Sequence, residues 1–158
     1  MLVRTLRDSA EVGAYFDLRY RVFVLEQGVA PVLEIDARDF APRNRTIPIG
    51  LFINNRLVAG ARLLIDSPTH IHIGRVVVEP EQRGRGLGHA IMRGLESIAQ
   101  DALGNPPKIT LELDAQTRAL GFYQSLGYTA FGSEFDDAGI PHRSMVKTIG
   151  VTYRPHSV

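Results

Sequence analysis

The chain has 158 residues, 44% of them hydrophobic and 22% charged, the balance of one ordinary folded domain long enough to bury a core. Its formal net charge of +1 lacks the basic excess of a nucleic-acid binder. Cysteine is absent, which excludes disulfides, thiolate zinc sites and an acyl-cysteine intermediate, and fits a reducing cytoplasm.

Leu2 to Leu6 reads as a first strand, and Arg4, Arg7 and Asp8 interrupt the N-terminus before any long apolar run, so no signal peptide is expected. Ser9 is placed to cap a helix. In that helix Val12, Tyr15, Phe16, Arg19, Tyr20, Phe23 and Val24 recur at helical spacing to about Glu26, and Gly28 stops it. Pro31 to Pro42 is an acidic loop with one helical turn. Thr46 to Ile53 and Arg56 to Ile65 are strands joined by an Asn54-Asn55 hairpin. After the Asp66-Ser67-Pro68 turn, His70 to Val78 is a fourth strand, with His70 and His72 on one face and Ile71 and Ile73 on the other. Gly86 to Ala102 is a long helix burying Ile91, Leu95, Ile98 and Ala99, and Gly104 to Pro107 ends it. Ile109 to Leu113 is a strand and Gln116 to Leu126 a short helix closed by Gly127. Tyr128 to Phe135 and Ile140 to Ile149 pair around Asp136 to Gly139, and a tail is expected to fray from Thr152. No apolar run approaches the roughly 18 residues of a membrane span.

One junction carries chemistry. The β-branched run Val76-Val77-Val78 leads into Arg83-Gly84-Arg85-Gly86-Leu87-Gly88, and a helix follows at once. Glycines let backbone N–H groups converge without side chains in the way. Those donors, with the positive end of the helix dipole, form an anion site suited to a phosphorylated cofactor. No lysine follows the glycines, so this is not an ATP-type P-loop. Gly84 and Gly86 fit a dinucleotide fingerprint, but His89 fills its third glycine place. The pattern that fits is Arg-x-x-Gly-x-Gly at Arg83, Gly86 and Gly88.

That segment resembles the coenzyme A pyrophosphate loop of the GNAT N-acetyltransferases. Leu113 to Tyr128, with Phe122-Tyr123 and Gly127-Tyr128, resembles the other half of the same cofactor site. Leu18 to Gln27, Glu34 to Asp39 and Gly139 to Met145 narrow the resemblance to the ElaA-type branch. The resemblance implies a single α/β domain over residues 1–158. Its GNAT fold is a mixed, mostly antiparallel sheet of six or seven strands, splayed at the fourth and fifth and flanked by about four helices. It implies acetyl-CoA as co-substrate. The backbone of Val76, Val77 and Val78 would pair with pantetheine, and the amides of Gly84, Gly86, Leu87 and Gly88 would grip the pyrophosphate. Arg83 and Arg85 would reach the phosphates, with Gln116, Phe122 and Tyr123 completing the cofactor wall. Phe122 faces away from Tyr123 and doubles as a core residue. Tyr123 would protonate or stabilise the leaving thiolate.

An amine acceptor must lose a proton before it attacks. A lysine-like amine is neutral in about one molecule in a thousand near neutral pH, a deficit of roughly 4 kcal/mol. Glu26, Glu79, Glu112, Asp114 and His142 are the candidate bases, with Glu26 at the acceptor end of the first helix and His142 in the C-terminal signature preferred. Glu26, Glu34, Asp36 and Asp39 hint at a cationic acceptor. His70 and His72 share a face, but no third ligand is suggested, and no metal is expected. The reading is an N-acetyltransferase acting on a small-molecule or peptide amine by direct attack in a ternary complex. It is expected in the cytoplasm, with a homodimer possible and with neither nucleic acid nor membrane as partner. The alternatives are a coenzyme A-binding module without turnover and an acyl-homoserine-lactone synthase-like enzyme. Against the latter, the chain has no tryptophan and carries the full glycine loop.

Overall fold

The structure, a computed structural model, describes residues 1–150; the tail expected to fray lies outside them. Seven strands form one sheet: β1 (Leu2–Thr5), β2 (Thr46–Ile53), β3 (Arg56–Ser67), β4 (His70–Val78), β5 (Ile109–Gln116), β6 (Thr129–Asp137) and β7 (Ile140–Ile149). The helices are α1 (Ser9–Arg19), α2 (Pro31–Glu34), α3 (Leu87–Ala102) and α4 (Leu120–Ser125). The strand order is β1-β2-β3-β4-β5-β7-β6, antiparallel throughout except for β4 beside β5. A parallel pair needs a crossover, and α3 supplies it.

The two faces of the sheet are covered by different helices. Ile71 and Ile73 on β4 turn toward α3 and join Ile91, Met92, Leu95 and Leu111 in the main core. On the opposite face Tyr15, Leu18 and Val22 pack with Leu57 and Val77. Gly60 on β3 makes that contact possible, because a Cβ there would lie 2.4 Å from the Tyr15 ring. Ile98 is half-buried rather than buried, and Met92 takes the enclosed position.

The central feature is a gap. Strands β4 and β5 pair only from His70↔Thr110 to Ile73↔Leu113. Beyond that point β4 stays with β3 and β5 stays with β7, so the sheet splays as expected. The divergence begins at a bulge. Gly60 pairs Val77 but Arg62 pairs Gly74, and Arg75 sits at φ +51°, unusual for a side chain larger than glycine. The buried Tyr15 hydroxyl donates to the Arg75 carbonyl at 2.8 Å and holds that kink.

Several boundaries differ from the sequence reading. The cap of α1 is Asp8, not Ser9, because the Asp8 carboxylate accepts from the Glu11 N–H at 2.9 Å. The first helix does not run as one α-helix to Glu26; after Arg19 it widens into a π-helical segment, Tyr20–Glu26. The wider turns carry Glu26 and Gln27 to the cleft mouth. Pro31 to Pro42 holds α2 and a 3₁₀ turn at Ala37–Phe40. Strand β5 runs on to Gln116, so α4 starts at Leu120 after a 3₁₀ turn.

Candidate active site

A cleft of about 930 Å³ fills the gap between β4 and β5, bounded by the end of the π segment, the glycine loop and α4. The loop has the conformation its glycines permit. Gly84 and Gly86 both sit at φ +77°, and Gly86 is the N-terminal cap of α3. Among the described residues, the backbone N–H groups from Gly84 to His89 meet no acceptor; the next, at Ala90, donates to the Gly86 carbonyl. A helix start that leaves a run of donors free in a cleft is an anion site. Gly88 also packs closely on α4: a Cβ there would lie 3.0 Å from the Phe122 ring, which would have to give way slightly.

The remaining predicted cofactor residues gather around this loop. Val76 and Val78 line the cleft where β4 has lost β5 as a neighbour, and Val77 is buried in the second core. Arg85 is exposed and bonds Gln82 at 3.1 Å. Gln116 spans the cleft mouth, donating to Gln27 at 2.8 Å while its carbonyl accepts from Arg118 at 2.9 Å. Phe122 does not face away from Tyr123. The two rings pack edge to face at 4.9 Å, and both line the cleft. The Tyr123 hydroxyl has no hydrogen-bond partner among the described residues, and burial pushes its pKa up to about 12.

The acid–base candidates separate by their partners. Glu79 is buried and ion-paired with Arg21, whose hydrogen bond holds its carboxyl below the usual range, so it anchors the π segment to the end of β4. Asp114 accepts from the Ser144 hydroxyl at 2.8 Å. Glu112 lies against His70 and His72, at 3.3 and 2.8 Å. Glu26 takes two bonds from Arg83, at 2.6 and 2.9 Å, and that pairing lowers its pKa. His142 is different. It is nearly buried opposite Gln116, its ring stacks on Phe135, and Nδ1 lies 2.7 Å from the Ile140 carbonyl. Nδ1 therefore carries the proton in the neutral ring and Nε2 is left as an acceptor.

The acidic run read as a hint of a cationic acceptor is used internally. Buried Arg19 binds Glu34 at 2.6 Å and Asp39 at 2.7 Å, and Arg62 binds Asp36 at 2.8 Å and Asp39 at 2.9 Å. Burial alone would raise the Asp39 pKa, but the bonds and charge of Arg19 outweigh it and bring it to about 2. Arg75 reaches from the β4 bulge to the Leu33 and Glu34 carbonyls at 3.2 and 2.9 Å. These contacts lash the α2 segment over the cleft. Sequence reasoning missed Tyr15, Arg75 and Gln27 because each acts through a partner in a distant element. It also missed Asp66, whose oxygen lies 2.5 Å from His72 Nδ1.

Known proteins share the sequence pattern and the fold of this chain. Residues 37–149 match the family described as "Acetyltransferase (GNAT) domain". Protein ElaA of Escherichia coli (strain K12) is 34% identical over 143 residues, covering 89% of each chain. Its crystal structure superposes with a TM-score of 0.77 at 29% identity, covering 92% of this chain and 98% of that one. An acyl-CoA N-acyltransferase from Pseudomonas aeruginosa gives a TM-score of 0.78 at 28% identity, covering 92% and 97%. At 17% identity and a TM-score of 0.69, over 98% of this chain and 99% of that one, the same fold occurs in an aminoglycoside 6'-N-acetyltransferase solved with coenzyme A.

Proposed function

Because the chain belongs to the GNAT acetyltransferases, in the ElaA-type branch, and is an acyl-CoA N-acyltransferase, we propose that it moves the acetyl group of acetyl-CoA directly to a primary amine. The observation that carries this reading is the run of N–H groups from Gly84 to His89, without acceptors among the described residues, opening into the same cleft as a Tyr123 hydroxyl that likewise has no partner among them. The pyrophosphate lies on those amides, with Arg83 and Arg85 beside it. Pantetheine runs along the exposed edge of β4 by strand addition. Amides near Val76 to Val78 orient the thioester carbonyl and stabilise its oxyanion.

The amine lone pair forms the N–C bond, the C–S bond breaks, and coenzyme A leaves as the thiolate. A thiol pKa near 8.5 lies well below about 12 for Tyr123, so full proton transfer from this phenol is uphill by roughly 5 kcal/mol. Tyr123 therefore serves as a hydrogen-bond donor to the sulfur. The ammonium proton goes to His142 Nε2, directly or through water. Glu26, held acidic by Arg83, is a weak base, and its place is at the acceptor rim. The acceptor is a small-molecule or peptide amine. The cysteine-free chain favours direct transfer, and cytoplasmic action is part of this reading.

Calorimetry with acetyl-CoA and a transfer assay over a broad amine panel test the proposal. The expected result is stoichiometric binding and acetylated product. No binding at millimolar acetyl-CoA overturns it. Binding without transfer makes the chain a coenzyme A-binding module, and lactone formed from S-adenosylmethionine and an acyl donor makes it a lactone synthase.

A further inference from the structure

We propose that Asp66, His70 and His72 form a site for one divalent transition-metal ion of the zinc class, on the sheet face opposite α3. Alternation along β4 sets both imidazoles on that face, with ring centroids 5.7 Å apart. Asp66 reaches them through a second irregularity in the sheet. Ile65 pairs Ile71 and Ser67 pairs His70, so Asp66 is the extra residue of a bulge at the end of β3. Bulges re-aim side chains, and this one brings the Asp66 carboxylate to 2.5 Å from His72 Nδ1. One donor atom from each of Asp66, His70 and His72 lies within 4.8 Å of the other two.

The opposite edges of the rings are also occupied. Glu112, the register partner of His72 on β5, sits 3.3 Å from His70 Nε2 and 2.8 Å from His72 Nε2. A carboxylate behind the non-ligating nitrogen is the usual outer support of a metal-bound histidine, because it fixes ring orientation and tautomer. His72 then presents its Nδ1 edge to the ion together with Asp66, and His70 supplies one ring nitrogen. Two imidazoles and a carboxylate, with no thiolate, suit zinc, nickel or copper rather than magnesium or calcium. Asp66 and Glu112 together balance the charge of a dication. Both rings are about one-third exposed, so the ion enters from solvent and keeps a water-accessible position.

The placement also has a structural consequence. The His72↔Glu112 pair lies one step before Ile73↔Leu113, the last contact between β4 and β5 before they part. An ion here ties the β3–β4 turn to the strand pair at the base of the cleft.

The test uses the untagged full chain, stripped with a chelator and titrated with zinc by calorimetry. Cobalt supplies a visible ligand-field spectrum as an independent report of nitrogen and oxygen ligation. One equivalent of zinc is expected to bind and to raise the melting temperature. His72→Gln and Asp66→Asn abolish saturable binding, and Glu112→Gln retains the stoichiometry with about 10- to 100-fold weaker affinity. Circular dichroism of each metal-free variant shows that it folds. The absence of saturable binding at millimolar zinc overturns the proposal, as does undiminished binding in folded His72→Gln. No cofactor is present in the experiment, so its outcome is independent of the transferase reading.

Discussion

Replacing Glu26 by glutamine separates two roles that the cleft geometry sets against each other. Glu26 and Arg83 form a two-bond pair at 2.6 and 2.9 Å, with side chains 39% and 44% exposed. A pair this open to solvent contributes only about 0.2–1 kcal/mol. A pyrophosphate bound on the glycine loop competes for the same guanidinium. Removing the competing carboxylate charge therefore raises coenzyme A affinity by at most about five-fold, the upper end of that energy. The gain shrinks at high salt, because an exposed charge effect is screened. The same substitution leaves kcat within a small factor of the parent. Calorimetry at two ionic strengths and steady-state acetyl transfer read the two quantities separately. If Glu26 were the proton acceptor, kcat would fall by about 10²–10⁴ instead. Such a fall, or a weakened affinity for coenzyme A, refutes the reasoning.

Further outcomes follow from other contacts. Tyr123→Phe removes one hydrogen bond to a charged sulfur, worth about 1.5–3 kcal/mol, so kcat falls by roughly 10- to 100-fold while the Kd for coenzyme A, measured by calorimetry, is unchanged. Tyr15→Phe leaves the Arg75 carbonyl without its buried donor and lowers stability in urea by about 1–3 kcal/mol. Its kcat/KM also drops, because the relaxed bulge misaims the amides beyond it. Asp39 has a depressed pKa, so its contribution is present above its unfolded value and is lost as pH falls from about 4 toward about 2. Urea midpoints over that range should decline by the equivalent of about 2 kcal/mol, and Asp39→Asn should flatten that part of the profile while destabilising the protein at neutral pH.

The parts of the site that are local in the chain were legible from residue types alone. The glycine loop and its helix depend on neighbours within a few positions, so glycine freedom and helix polarity sufficed to place them, whereas the Phe122-Tyr123 pair was assigned through resemblance. Strand order and the splay came through resemblance. What escaped depends on long-range partners. Nothing near Arg75 signals that it adopts φ +51°, since the restraint is the Tyr15 hydroxyl sixty residues earlier in the chain. Glu34, Asp36 and Asp39 look like a solvent-facing acidic run until Arg19 and Arg62 arrive from α1 and β3. Asp66 reads as a turn residue, and only the bulge at the end of β3 turns it onto His72. The Asp8 cap was missed by one position because aspartate and serine satisfy the same donor.

A crystal structure of the complex with coenzyme A would show directly whether the glycine loop holds the pyrophosphate. Pyrophosphate oxygens are expected about 3 Å from the backbone nitrogens between Gly84 and His89, with pantetheine along the free edge of β4 and the sulfur beside the Tyr123 hydroxyl. A diphosphate bound away from those nitrogens, or a sulfur distant from Tyr123, contradicts this arrangement.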